Sequence, residues 1–193
     1  MSPRRPAIGL VLLFVMAAVM IIMTSDRSDA KEAGPVNWRM RPGTSICVQD
    51  STNGTVPVAK SIRLWNKAQA RFRLRYSLDC SPWTRKIDVT TYGPGYDDTA
   101  LGLTSWYDLE CNGNCYAASG WIKIMTGEPV GWQRKMDECE LLHVMGHELG
   151  HQMGLDHDPN HPRSLMYTAD ATYWESQCGK PVPRDVRLVN RMG

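Results

Sequence analysis

The residues best placed to do chemistry lie in one short stretch, His147–His157, which reads HELGHQMGLDH. His147 and His151 are four apart, so on a helix their imidazoles stand one turn apart on one face and can converge on a single ion. Glu148 sits beside the first of them and can reach a water on that ion without being a ligand. Gly154 is the residue type that ends a helix with φ > 0, turning the chain so that His157 can supply a third nitrogen. Three protein ligands and one open position describe a catalytic zinc site rather than a structural one. A histidine-rich helix without metal would account for H-E-x-x-H alone, but not for the added Gly154 and His157.

A helix must carry this stretch, and the pattern predicts one from about Asp137, a good cap, to Met153. Leu142, Met145, Leu149 and Met153 form an apolar stripe, and His143, His147 and His151 form a second on roughly the opposite side. The helix is therefore expected to pack on a core with one face and show imidazoles to a cleft with the other. An earlier helix is expected from Pro57 to about Ala70, with Val58, Ile62, Trp65 and Gln69 on one stripe. Short strands are expected at Ser45–Gln49, Phe72–Leu78, Ile87–Tyr92, Leu101–Tyr107 and Ala118–Met125, the last two separated by a turn at Cys111–Cys115. Phe72, Leu74, Tyr76 and Leu78 alternate with polar residues and read as a half-buried face. A short closing helix spans about Arg184 to Arg191, with Val186 and Val189 as its apolar contacts. Asn53-Gly54-Thr55 is a glycosylation triplet, though the same residues suit a plain turn.

The 193 residues suit one domain with an added terminal segment. Arg4 and Arg5 precede an apolar run from Ala7 to Met23, and Ser28-Asp29-Ala30 offers the small residues that a signal peptidase reads. Residues 1–30 are thus read as an export signal, and residues 31–193 as the exported domain. An uncleaved membrane anchor is the alternative, because the run is just long enough to span. Losing residues 1–30 removes three basic and two acidic side chains, so the net charge of +2 becomes +1. A nearly neutral domain without a basic run gives no case for nucleic-acid binding. All six cysteines lie in the exported part, and an even count in an oxidising compartment favours three disulfides. Fifteen connectivities are possible on paper; Cys111 could close on Cys115 across its own turn, and the others are then expected as Cys47 with Cys80 and Cys139 with Cys178.

With Met166 a short loop beyond His157, the stretch resembles the metzincin signature, H-E-x-x-H-x-x-G-x-x-H followed by a Met-turn. Residues 151–157 (HQMGLDH) and 164–167 (SLMY) are similar to the matrixin branch, the matrix-metalloproteinase-like zinc endopeptidases. The segments around Ile62–Asn66, Ala100–Gly102, Trp121–Ile124 and Asp185–Gly193 occur in that family's order, and the likeness covers roughly residues 36–193. It implies an α+β, zincin-like fold: a five-stranded twisted mixed sheet with one antiparallel edge strand, and three helices. It also implies one catalytic Zn2+ on His147, His151 and His157, Glu148 as general base and then acid, and Met166 as an apolar floor beneath the histidines. A protein or peptide substrate would bind extended along the edge near Ala100, Leu101 and Gly102. His143, four before the first ligand, would line the main specificity pocket; a partly buried helix histidine without that role is the plainer reading. The chain is expected to act as a secreted monomer that meets a membrane only through an uncleaved N-terminus.

Departures from the family matter too. All five histidines fall between 143 and 161, leaving no imidazoles for a second, structural zinc. Calcium through Asp97 or Asp98 is an expectation by analogy only, since two carboxylates in a Gly-rich loop also suit a solvated turn. Thr168-Ala169-Asp170 stands where the family has a Pro-x-Tyr pocket wall, so substrate preference does not carry over. Asp158 is a candidate partner behind the ligands, or a replacement third ligand, and His161 reads as a loop residue. Tyr167 directly follows Met166 and is assigned no catalytic part. Two other functions remain open at this point: a zinc-bearing binding module that has lost catalysis, which the presence of Glu148 argues against, and a zinc amidase acting on cell-wall peptides.

Overall fold

Alternation of β-branched and polar residues builds the sheet. In a computed structural model, residues 40–191 are described except 42, 98–99, 113, 130–133 and 169–176, with the backbone alone at 109–112, 114 and 115. Ile46 and Val48 of β1 (Ser45–Asp50), Ile87 and Val89 of β3 (Lys86–Tyr92), and Ile122 and Ile124 of β5 (Asn114–Met125) are all buried. Their neighbours Lys86, Asp88, Trp121 and Lys123 point to the other face, as the period of two requires. The remaining strands are β2 (Arg73–Ser77) and β4 (Gly102–Asn112). The sheet runs β2-β1-β3-β5-β4 and is parallel except for β4, an antiparallel edge. This is the α+β, five-stranded mixed sheet with three helices that the resemblance implies.

The helices cover one face. α1 (Val58–Lys67) packs on β2, and α2 (Glu138–Gln152) on β4 and β5; the two helices touch each other. Ile62 and Trp65 of α1 share the core with Met145 and Leu149 of α2. Trp65 Nε1 also donates to the Gly146 carbonyl at 3.0 Å, fastening α1 to the middle of α2. α3 (Pro183–Arg191) closes the chain and adds Val189 to the core. Leu188, rather than the expected Val186, is its second apolar contact there.

Both ends of α2 follow local rules. Asp137 accepts from Glu140 N at 2.9 Å while the Glu140 carboxylate accepts from Asp137 N at 2.7 Å, a capping box. Arg134 grips that same carboxylate with two bonds of 2.7 Å. At the other end Gly154 has φ +91°, with Leu155 N donating to Gly150 O and Gly154 N to His151 O. That is a Schellman ending, which glycine adopts without steric cost.

The structure departs from expectation in three further places. The β4–β5 pair reaches Asn112 and Asn114, so the Cys111–Cys115 region is strand on both sides rather than a broad turn. Cys111 lies opposite Cys115 in that register, while their side chains, and so the proposed bond, fall outside the described residues. α1 stops at Lys67, and Gln69 takes φ 61° at the turn instead of extending the buried stripe. In β2 only Phe72 and Leu74 of the expected face are buried; Tyr76 and Leu78 are 45% and 71% exposed. β2 is an edge strand that ends at Ser77, so little packs over its last residues. The expected disulfides Cys47–Cys80 and Cys139–Cys178 are both present. Among the described residues no helix is long and apolar enough to cross a membrane, and the N-terminal segment lies outside them.

Candidate metal centre and catalytic cleft

The three predicted ligands meet. His157 Nε2 lies 3.1 Å from Nε2 of His147 and 3.1 Å from Nε2 of His151. Each helix histidine is held by its other nitrogen: His147 Nδ1 donates to the Leu165 carbonyl at 2.9 Å, and His151 Nδ1 to the Leu155 carbonyl at 2.7 Å. A carbonyl only accepts, so Nδ1 carries the proton and Nε2 presents a bare lone pair. Burial first, then the neighbouring imidazoles, holds His147 neutral well below its ordinary range. The same causes push His151 down to about 3.

Lone pairs gathered this closely repel unless a cation lies between them. A tetrahedral zinc with bonds of about 2.05 Å puts ligand nitrogens about 3.3 Å apart, close to the observed spacing. The donor set therefore fits zinc in both chemistry and size. His147, His151 and His157 are also the one group of three or more metal-ligating side chains found among the described residues.

The surroundings explain several small residues. Glu148 is 2% exposed and lies against β4 at Gly102, where an added Cβ would fall 2.5 Å from Glu148 Oε1 and 2.7 Å from its Cγ. Gly102 thus makes room for the carboxylate. Gly150 does the same for the Met-turn: a Cβ there would sit 2.5 Å from Met166 Sδ. Met166 is buried against the helix segment that carries the histidines. Ala100 and Leu101 lead into β4, with the Ala100 carbonyl accepting from the Tyr92 hydroxyl and the Leu101 carbonyl from Met125 N.

His143 is 3% exposed, and its ring centre lies 6.4 Å from that of His147. Burial lowers its pKa to about 4. With His143, His147 and His151 all buried, α2 is covered on both stripes, so the imidazole side is less open than the pattern suggested. Asp158 is not gathered into the ligand group. It bonds Arg184 Nε and His161 Nδ1, both at 2.6 Å, while its backbone N–H donates to the Met166 carbonyl. Burial alone would raise its pKa, but the bonds from Arg184 and His161 outweigh that and hold it below the usual carboxylate range. Asp158 thereby ties the ligand loop to α3, and His161 belongs to that tie. Asp98 and the Ala169-Asp170 wall segment lie outside the described residues.

Two residues that sequence reasoning passed over hold the site together. Asp185 in the first turn of α3 is fully buried and accepts from Ser164 Oγ (2.6 Å), Leu165 N (3.0 Å) and Val182 N (2.9 Å). It fixes the loop whose Leu165 carbonyl orients His147. Gln152, next to His151, is also fully buried; its Nε2 donates to Thr104 Oγ1 and to the Ser105 carbonyl, pinning α2 to β4. An acidic residue just after Pro183 was a usable signal, though it reads equally as an ordinary helix-start charge.

Residues 48–190 match the matrixin family model. The chain belongs to the matrixin family. This matrixin is a zinc metallopeptidase, and its family acts on peptide substrates. Among solved structures it is similar to archaemetzincin from Methanopyrus kandleri, at 18% identity and TM-score 0.40 over 80% of this chain and 95% of that one. It is similar also to metalloproteinase-II from Bacteroides fragilis, at 13% identity and TM-score 0.33 over 75% of this chain and 56% of that one. No curated protein matches the chain. The assignment rests on the family match.

Proposed function

We propose that this matrixin is a secreted endopeptidase that cuts protein segments bound in extended form beside β4. In this reading His147, His151 and His157 hold one zinc ion and Glu148 is the general base that becomes the general acid. The observation that carries it is the meeting of three Nε2 atoms at 3.1 Å with the helix rings fixed from behind, next to a buried glutamate lodged against the edge strand. Zinc held there would supply a bound water with a pKa near 7 and a positive charge beside the substrate carbonyl oxygen. Glu148 takes the proton of the attacking water and passes it to the departing amine. The carbonyls of Leu165 and Leu155 keep two imidazoles neutral and aimed while this happens. β4 pairs with β5 on one side, so its other side is available for an added strand, and Ala100, Leu101 and Gly102 are where it would begin. His143, one turn before His147, is the proposed pocket residue. Secretion is supported by the two disulfides and by the export features of residues 1–30.

The test compares cleavage of an unstructured protein by wild type and Glu148→Ala, with zinc content measured in both. The expected result is equal zinc and activity lower by about 10²–10⁴-fold. Equal activity that a chelator does not abolish would overturn the mechanism. A peptide-library cleavage profile separates an endopeptidase from an amidase confined to cell-wall peptides.

A further inference from the structure

The end of the sheet farthest from β4 carries a patch that peptide cleavage does not use. Register places Arg75, Cys47 and Lys86 in one row across β2, β1 and β3, on the face opposite the buried Leu74, Ile46 and Ile87. Cys47 is bonded to Cys80, so the disulfide draws the loop 78–85 across that row, and a Trp83 N–H bond to the Cys80 carbonyl (2.9 Å) tightens it. In this loop Leu78 is 71% exposed and Trp83 38%. Beside it Arg73 and Arg75 are exposed and make no ion pair with a described residue. Residues 71–86 hold five basic side chains against one acidic, a net +4 in a chain whose total is +2. The rest of the molecule is therefore net acidic, and the positive charge is concentrated here.

A merely solvated basic strand has no use for a protruding leucine. The core of a protein interface is enriched in arginine and tryptophan but depleted in lysine, and leucine is under-represented among its hot spots. An exposed leucine and tryptophan in a loop beside a strand with exposed arginines suit the headgroup layer of an anionic bilayer, where the apolar side chains sink in and the cations meet phosphate; Asp79 is the one acidic side chain of the stretch. We propose that this patch docks the enzyme on an anionic lipid surface, with Leu78 and Trp83 entering the headgroup layer and Arg73 and Arg75 against the phosphates; Lys86 beside them is paired with Asp88. β2 and β4 are separated by four strand spacings, about 19 Å, so docking through β2 leaves the β4 edge and the histidines free for substrate.

The full chain, as its host exports it, is sedimented with vesicles of phosphatidylcholine alone and of phosphatidylcholine mixed with phosphatidylglycerol. Binding is expected only with the mixed vesicles, falling as salt rises. Arg73→Glu with Arg75→Glu should weaken it by about fivefold or more for each cation lost. Leu78→Asp should weaken it by at least about tenfold. Cleavage of a soluble peptide should stay at the wild-type rate in both variants, showing the fold intact. Equal binding to neutral vesicles, or binding that none of these substitutions changes, overturns the proposal and points to the apolar run Ala7–Met23 instead. Capture by dextran sulfate without vesicle binding overturns it as well, in favour of a soluble polyanion.

Discussion

The sheet has a strand edge at each end, and the molecule treats them in opposite ways. At β2 the outward N–H and C=O of Leu74 are both taken by one side chain, Asn66 of α1, at 3.0 and 2.8 Å. A strand approaching that edge finds the Leu74 pairing groups occupied and a row of arginines beside them, two guards against edge-to-edge association. At β4 the covering helix brings the proposed catalytic residues instead of a cap. α2 is pinned to the strand by Gln152 and lays Glu148 against Gly102, leaving the backbone edge for another chain. An unpaired edge is a hazard where nothing selects the incoming strand. In the proposed function it becomes a binding device, because the candidate site lies beside it.

Gly102→Ala should break the β4 side of this contrast most severely. The new Cβ occupies the space of the Glu148 carboxyl group, so kcat/KM should fall at least about 100-fold with zinc retained. Near-normal activity with bound zinc would mean that the glutamate does not need that berth.

Acid should also act on the active-site side, through His143. The folded protein keeps this ring neutral down to about 4, whereas the unfolded chain takes up a proton near 6.5. The folded pKa is the lower one, so stability is whole above 6.5 and drains as pH falls toward 4, by up to about 3 kcal/mol. His143→Leu should flatten that part of the profile. Melting temperatures of the zinc-loaded proteins across this range give the check, and equal losses in both would assign the acid sensitivity elsewhere.

Asn66→Ala probes the β2 edge and should have the smallest effect on the fold. Water can reach the Leu74 groups at this partly buried site, so the cost should be about 1 kcal/mol with kcat/KM unchanged. The telling readout is self-association at high concentration, which should rise once the edge is uncapped. A variant that stays monomeric would show that the neighbouring arginines suffice.

Much of the site was legible because its signals are local. A four-residue spacing places His147 and His151, and Gly154 with φ +91° delivers His157 through a turn that glycine makes easily. The capping box at Asp137 and Glu140 is likewise a three-residue matter, as is the apolar stripe of Leu142, Met145 and Leu149. The strands of the buried centre were recognisable by alternation, whereas six cysteines allow fifteen connectivities and the two disulfides were settled by the fold. Leu78 misled because alternation records which face a residue points to, not whether anything covers that face. The short Cys111–Cys115 segment misled because a cysteine-bracketed Asn-Gly-Asn suits a turn of several lengths.

What the sequence by itself determined, then, is the candidate ligand set, the helix that carries it, the family, and the class of chemistry. These depend on interactions spanning a few residues, so spacing alone carries them. Only the tertiary structure decided that Asp185 holds the Met-turn, that Gln152 pins α2 to β4, that Asn66 seals one edge while Gly102 opens the other to Glu148, and that Asp158 is a tie rather than a ligand. The partners in most of these contacts lie 20 or more residues apart in the chain. A buried carboxylate or amide takes its role from whichever donors and acceptors folding brings within about 3 Å.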